Sequence, residues 1–238
     1  MPQTFFKKIL SIIFPNKCVG CHKYTPDDFF VCHDCLQNIT INSYFVCPVC
    51  HKKIDPNSTD VCYHENNVVK KVLCILDYKN NIVRNLIHGF KYKKIKTISN
   101  TLRFLMEKSL LPNLPFTNPD DYIIIPVPLF FVKQNQRGFN QSELLGQIIS
   151  DITKITLLSD LLIRHSNNSV QAKMKNRDQR FFNTKNIFKI NSSKQHLLKN
   201  KKIILVDDVF TTGATLNACA QALRAHTRKT IIAICLAR

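Results

Sequence analysis

The pattern of apolar and polar positions changes character about a quarter of the way along the chain. From residue 68 onward, short continuous apolar runs alternate with stretches of helical periodicity. The runs at 72–78 (VLCILDY), 122–127, 203–206 and 230–236 carry no polar alternation, the mark of strands buried on both faces. Between them, Ile82, Leu86, Ile87 and Phe90 recur at helical spacing, which predicts a helix over 80–91. Further helices are predicted over 95–111, 141–155 and 215–226. Residues 157–163 suit either a short helix or a strand, and PNLPFTNPDD, ending at Asp121, reads as a proline-punctuated loop. Strands alternating with helices predict an α/β fold, a mostly parallel sheet flanked by helices.

The first 66 residues lack that alternation. Phe5, Phe6, Ile9, Leu10, Ile12 and Ile13 fit one broad face of an amphipathic helix within 1–16. Two lysines and an apolar patch there resemble a secretory leader, but a small-residue cleavage site is missing. Seven of the ten cysteines then fall between Cys18 and Cys62. Cys18/Cys21, Cys32/Cys35 and Cys47/Cys50 are C-x-x-C pairs, and Cys62 is single. A two-residue gap suits a tight knuckle aiming both thiolates at one metal, and nothing in a disulfide framework requires the repeat. The expected site is a structural zinc at Cys18, Cys21, Cys32 and Cys35. A second set is less complete: Cys47, Cys50 and Cys62 need His64 or His51 as a fourth ligand, and spacing alone also allows pairs one and three to share a metal. Cys74, Cys219 and Cys235 sit in apolar or helical settings and read as inert core. A segment this small holds together through its metal rather than through burial alone. The expected organisation is an N-terminal helix (1–16), a double zinc ribbon-like module (17–66) and an α/β domain (67–238).

Charge narrows the partners. Lys and Arg number 34 against 16 Asp and Glu, a net +18, which favours an anionic partner: nucleic acid, a polyphosphate or an anionic membrane surface. At 45% apolar and 21% charged residues, the chain is neither disordered nor rich enough in long apolar runs for a membrane helix; without a secretory signal its thiols are expected to be reduced, as in a cytoplasmic protein. Only five glycines are present where about 17 would be usual at ~7%, so each is expected where the backbone needs it.

The most informative stretch is 203–215, IILVDDVFTTGAT. Four apolar residues lead into two adjacent carboxylates, Asp207 and Asp208, then a hydroxyl-rich loop and a helix start. Ligands of α/β sheets bind at strand carboxyl ends, and a loop feeding a helix N-terminus offers free N–H groups to a phosphate. Thr211, Thr212, Gly213, Ala214 and Thr215 are the candidate phosphate-binding residues. The carboxylates would repel a phosphate, and suit vicinal hydroxyls or a water-bound Mg(II). Together they read as a ribose 5-phosphate site.

This segment resembles the thirteen-residue 5-phosphoribosyl-1-pyrophosphate (PRPP) motif of type I phosphoribosyltransferases. The chain more widely resembles the ComF/GntX family of competence proteins, through LIHGFKY at 86–92, IPVP at 125–128, RGFNQ at 137–141 and the spaced series Arg164, Gln171, Arg177, Asn183. One departure is that Cys62 is followed by Tyr63, His64 and Glu65 where the family often has another C-x-x-C. The resemblance implies a type I phosphoribosyltransferase-like sheet behind a zinc module, binding PRPP with Mg(II). It implies a pyrophosphate-contacting loop with Arg137 and a mobile hood at 166–183 with Lys173 and Arg177. It also implies a role in uptake or processing of single-stranded DNA during natural transformation, alongside competence helicase and DNA-processing proteins. Two other readings remain open: an active phosphoribosyltransferase of nucleobase or nucleotide metabolism, and a non-catalytic zinc and basic-surface adaptor for nucleic acid. No acceptor base is named by the residues. Residues 66–103 hold nine Lys/Arg and one acid, and Lys91, Lys93 and Lys94 are the candidate nucleic-acid surface.

Overall fold

The computed structural model describes residues 16–25, 29–56, 58, 61–92, 95–113, 118–129, 138–164 and 187–238. The expected N-terminal helix, Arg137, Lys173, Arg177, Lys93 and Lys94 lie outside these residues, as does the side chain of Lys91.

The apolar runs form the centre of a seven-stranded sheet. Its strands are β1 (Phe45–Val46), β2 (Lys53–Ile54), β3 (Val72–Leu76), β4 (Tyr122–Pro126), β5 (Thr156–Leu157), β8 (Lys202–Val209) and β9 (Ile231–Ala237), in the order β2-β1-β3-β9-β8-β4-β5. From β3 to β5 every pairing is parallel. Short strands β6 (Leu162–Arg164) and β7 (Phe188–Ile190) pair antiparallel in a separate ribbon.

Side chains of successive strand residues point to opposite faces, and here both faces are dry. Leu73, Ile75, Ile124, Ile204, Val206, Ile232 and Ile234 pack on one side with α2 (Asn81–Tyr92), α3 (Ile95–Asn113) and α4 (Gln141–Thr153). Val72, Cys74, Ile123, Ile203, Leu205, Ile231 and Cys235 pack on the other, with Leu216, Cys219, Ala220 and Leu223 of α5 (Ala214–Arg224). That two-sided burial is why the strands read as continuous apolar runs. The ambiguous stretch 157–163 falls into β5 and the start of β6, with no helix.

The zinc module is continuous with this body. Strand β1 pairs antiparallel with β3 and carries β2 at the sheet edge. Phe30 N–H donates to buried Thr101 Oγ1 of α3 at 2.8 Å, and Asn42 Nδ2 donates to Cys74 O at 2.9 Å. A β-carbon on Gly89 of α2 would lie 2.7 Å from Phe30 Cε1, so glycine there lets the module dock. Among the described residues, no helix is long and apolar enough to cross a membrane.

Candidate functional site

Two cysteine clusters are built by one repeated local design. In the first knuckle Cys18 N–H donates to Lys23 O, His22 N–H to Cys18 O, and Gly20 N–H to Cys18 Sγ. In the second, Cys47 N–H donates to Lys52 O, His51 N–H to Cys47 O, and Val49 N–H to Cys47 Sγ. His22 and His51, each following the second cysteine of its pair, both take φ of 62°. A β-carbon on Gly20 would stand 2.8 Å from Cys35 Sγ, so only glycine lets the first knuckle close on α1 (His33–Gln37).

The ligand atoms of Cys18, Cys21, Cys32 and Cys35 lie within 4.8 Å of one another, and so do those of Cys47, Cys50, Cys62 and His64. The pairs therefore fill in sequence order, and the interleaved alternative falls away. Facing sulfurs are 3.6 Å apart (Cys21, Cys32) and 3.7 Å apart (Cys50, Cys62). A tetrahedron with Zn–S bonds of ~2.3 Å has an edge of about 3.8 Å, whereas a disulfide would need ~2.05 Å. His64 Nε2 is buried without a hydrogen-bond partner, as an imidazole reserved for a metal would be. Both clusters fit structural zinc, and His64 rather than His51 completes the second.

The thiols are prepared unequally. Burial raises Cys18, but the N–H groups of Cys32, Cys21 and Gly20 outweigh it and bring its pKa to about 7. The N–H of Lys52 and then the His64 imidazole lower Cys50 to about 6. Burial and the neighbouring sulfurs push Cys35 far up. Three cysteines are outside the clusters: Cys74, which burial raises to about 12, and the fully buried Cys219 and Cys235, also raised by burial.

The second centre lies at the carboxyl ends of β4 and β8. The chain leaves β4 outward to β5, then returns to place β8 on β4's other side, so strand order reverses there. Such a reversal opens a crevice. Strand β8 runs past the apolar core through Asp207 and Asp208 to Val209, and both carboxylates are half-buried. Ser142 Oγ donates to Asp207 Oδ1 at 3.0 Å, and the N–H of Asp208 donates to the same oxygen at 2.9 Å. Ser142 is held at the start of α4 by Asn140, whose Oδ1 accepts from Ser142 N–H and whose Nδ2 donates to Val127 O. Arg164 on β6 is half-buried over Phe188; burial lowers its pKa while the negative charge of Asp207 opposes that.

Beyond Val209 the chain turns through Thr211 and Thr212, both exposed, into α5. Gly213 caps α5 with φ of 73° and brings no side chain of its own, while Ala214 N–H donates to Thr212 Oγ1 at 3.4 Å. The first N–H groups of α5 therefore face the loop beside two hydroxyls, which suits a phosphate.

A cavity of about 690 Å3 extends from this loop. Its other wall comes from the zinc module: Pro48 and Val49 of the second knuckle, His51, and the turn Glu65–Asn67. The His51 ring meets Phe210 edge-on at 6.0 Å. Asn217 Nδ2 donates to Asn66 O, and its Oδ1 accepts from Val68 N–H, tying α5 to that turn.

The fold thus brings together Asp207, Asp208 and the 211–215 loop, and both four-ligand clusters. Sequence reasoning marked the RGFNQ block but gave no role to its Asn140, missed Ser142, which follows it, and missed the module's contribution to the cavity wall, for which no local signal exists.

Residues 122–238 match the phosphoribosyl transferase domain, and residues 9–65 the double zinc ribbon domain. Competence protein F of Haemophilus influenzae is 40% identical over 101 residues, 42% of this chain and 43% of that one. Competence protein ComFC of Bacillus subtilis is 28% identical over 148 residues, 60% and 54% of the two chains. DNA utilization protein YhgH of Shigella flexneri is 30% identical over 176 residues, 71% and 72%. The alignments with the two competence proteins span about half of those relatives' lengths.

Proposed function

Because the chain belongs to the ComF-like family, with its phosphoribosyl transferase domain and double zinc ribbon, we propose that it binds PRPP and handles single-stranded DNA during natural transformation. The observation that carries the PRPP reading is one continuous segment: two half-buried carboxylates at the end of β8, then a threonine loop, then the glycine-capped N-terminus of α5.

In this reading Asp207 and Asp208 accept hydrogen bonds from the ribose diol, and the 211–215 loop surrounds the 5-phosphate with N–H and hydroxyl donors. Ser142, donating to Asp207, fixes one carboxylate rotamer before the sugar arrives. Mg(II), entering with PRPP, would neutralise pyrophosphate charge. Arg137, Lys173 and Arg177 are the proposed pyrophosphate contacts. The zincs are structural, because each centre has four protein ligands and leaves no open position. The DNA role is supported by the relatives' names and by the +18 net charge.

Calorimetry with PRPP and Mg(II) tests the first part. Saturable binding by the wild type, lost in Asp207→Asn/Asp208→Asn while melting and zinc content hold, is expected. Binding that survives the double variant refutes the assignment.

A further inference from the structure

Two cavities lie end to end along α5. The first starts at the threonine loop and passes Asn217 and Gln221. The second, about 390 Å3, adjoins the first, since Asn67 lines both. Its walls carry Lys70, Arg224, Arg228 and Lys229, and no acid. Arg224 Nη1 donates to Thr227 O at 3.4 Å and to Lys229 O at 3.1 Å, which anchors the cluster, while Arg228 and Lys229 are exposed. The 11 residues of α5 span about 16 Å. A phosphate loop and a four-cation cluster are therefore separated by the length of about four or five stacked nucleotides at 3.4 Å each.

The space between suits what separates phosphates in a nucleic acid. Pro48 and the exposed Val49 offer an apolar surface to a base. Gln221 and Glu65 border the same space with groups that hydrogen-bond base edges. PRPP is too short to reach the cations, and an acidic polypeptide would match the cations but leave the phosphate loop without its ligand.

We infer that single-stranded DNA lies along α5, with one phosphate at the 211–213 loop, a nucleoside against Pro48 and Val49, and following phosphates at Lys70, Arg224, Arg228 and Lys229. The inference rests on the DNA-handling reading above. It places the strand on a surface formed jointly by the zinc module and α5. It also makes PRPP and DNA competitors for one loop.

The test is fluorescence anisotropy with a labelled twenty-residue oligo-dT across a salt series, on the zinc-loaded full chain. R228E/K229E is expected to weaken binding at least tenfold and to flatten the log–log salt slope by about 1.4, two contacts at ~0.7 each. PRPP affinity and zinc content should not move, and PRPP with Mg(II) should displace the oligonucleotide. An R228E/K229E protein that binds within twofold of wild type with an unchanged slope overturns the inference. So does failure of saturating PRPP to displace DNA, or displacement by polyglutamate at equal charge. If the wild type binds no oligo-dT even at low salt, the DNA-handling reading falls too, and the PRPP reading stands.

Discussion

Gly213→Ala tests the phosphate loop through its backbone. Gly213 has φ of 73°, and an L-residue held in the left-handed region costs about 1–2 kcal/mol. The new β-carbon would stand 3.0 Å from Phe210 Cε2 and 3.5 Å from Pro48 O. Phe210 is buried beneath His51, with Arg238 over its ring at 5.9 Å, so it has little room to yield. Overpacking there adds about 1 kcal/mol. The sum is about 2–3 kcal/mol, and at ~2–4 °C per kcal/mol for a chain of this size the melting temperature should fall by about 4–12 °C. Gly138→Ala is the control. Gly138 has φ of 78° but nothing within 4 Å of its would-be β-carbon, so it carries the strain without the contact. Calorimetric melting of zinc-loaded proteins should therefore rank wild type, Gly138→Ala, Gly213→Ala. PRPP titration adds a second readout, because the methyl also narrows the loop around the phosphate. Equal melting of the two variants would refute the contact argument. Unchanged PRPP affinity in Gly213→Ala would refute the loop as the phosphate site.

Metal analysis of reduced, purified protein should give two zinc equivalents, and Cys18→Ser and Cys62→Ser should each lose one; a single equivalent in the wild type would remove the Cys47/Cys50/Cys62/His64 centre. Native zinc-loaded protein should show almost no reactive thiols at pH 8; chelation should release seven, while Cys74, Cys219 and Cys235 wait for denaturant, and ten at once on chelation would contradict their burial. In metal-free protein that keeps its second knuckle, Cys50 alkylation should rise through pH about 6 instead of near 9. Because that pKa is lowered in the fold, the associated stability is present above pH 9 and is lost as pH falls through about 6. Ser142→Ala should weaken PRPP binding by about 0.5–1.5 kcal/mol with little change in melting, since it removes one neutral donor from Asp207; an unchanged affinity would assign Ser142 no part in orienting the carboxylate.

The sequence alone carried everything that short-range chemistry encodes. The period of the apolar runs gave the parallel core, because a strand dry on both faces has no polar alternation. The C-x-x-C spacing gave the knuckles, since the N–H to sulfur bonds that shape them span two residues. The order of apolar run, two carboxylates, threonine loop and helix gave the phosphate site, because its donors and acceptors are consecutive along the chain. Tertiary structure decided the rest. His64 rather than His51 joins the second cluster because His51, at φ of 62°, turns its ring towards Phe210. Ser142 reaches Asp207 across 65 residues of sequence because α4 packs on β8. The zinc module becomes a wall of the phosphate cavity because β1 pairs with β3, and Asn217 of α5 fastens the 66–68 turn. Pairing partners and packing angles are properties of the folded chain as a whole, and a stretch of residues read locally holds no record of which distant surface it will meet.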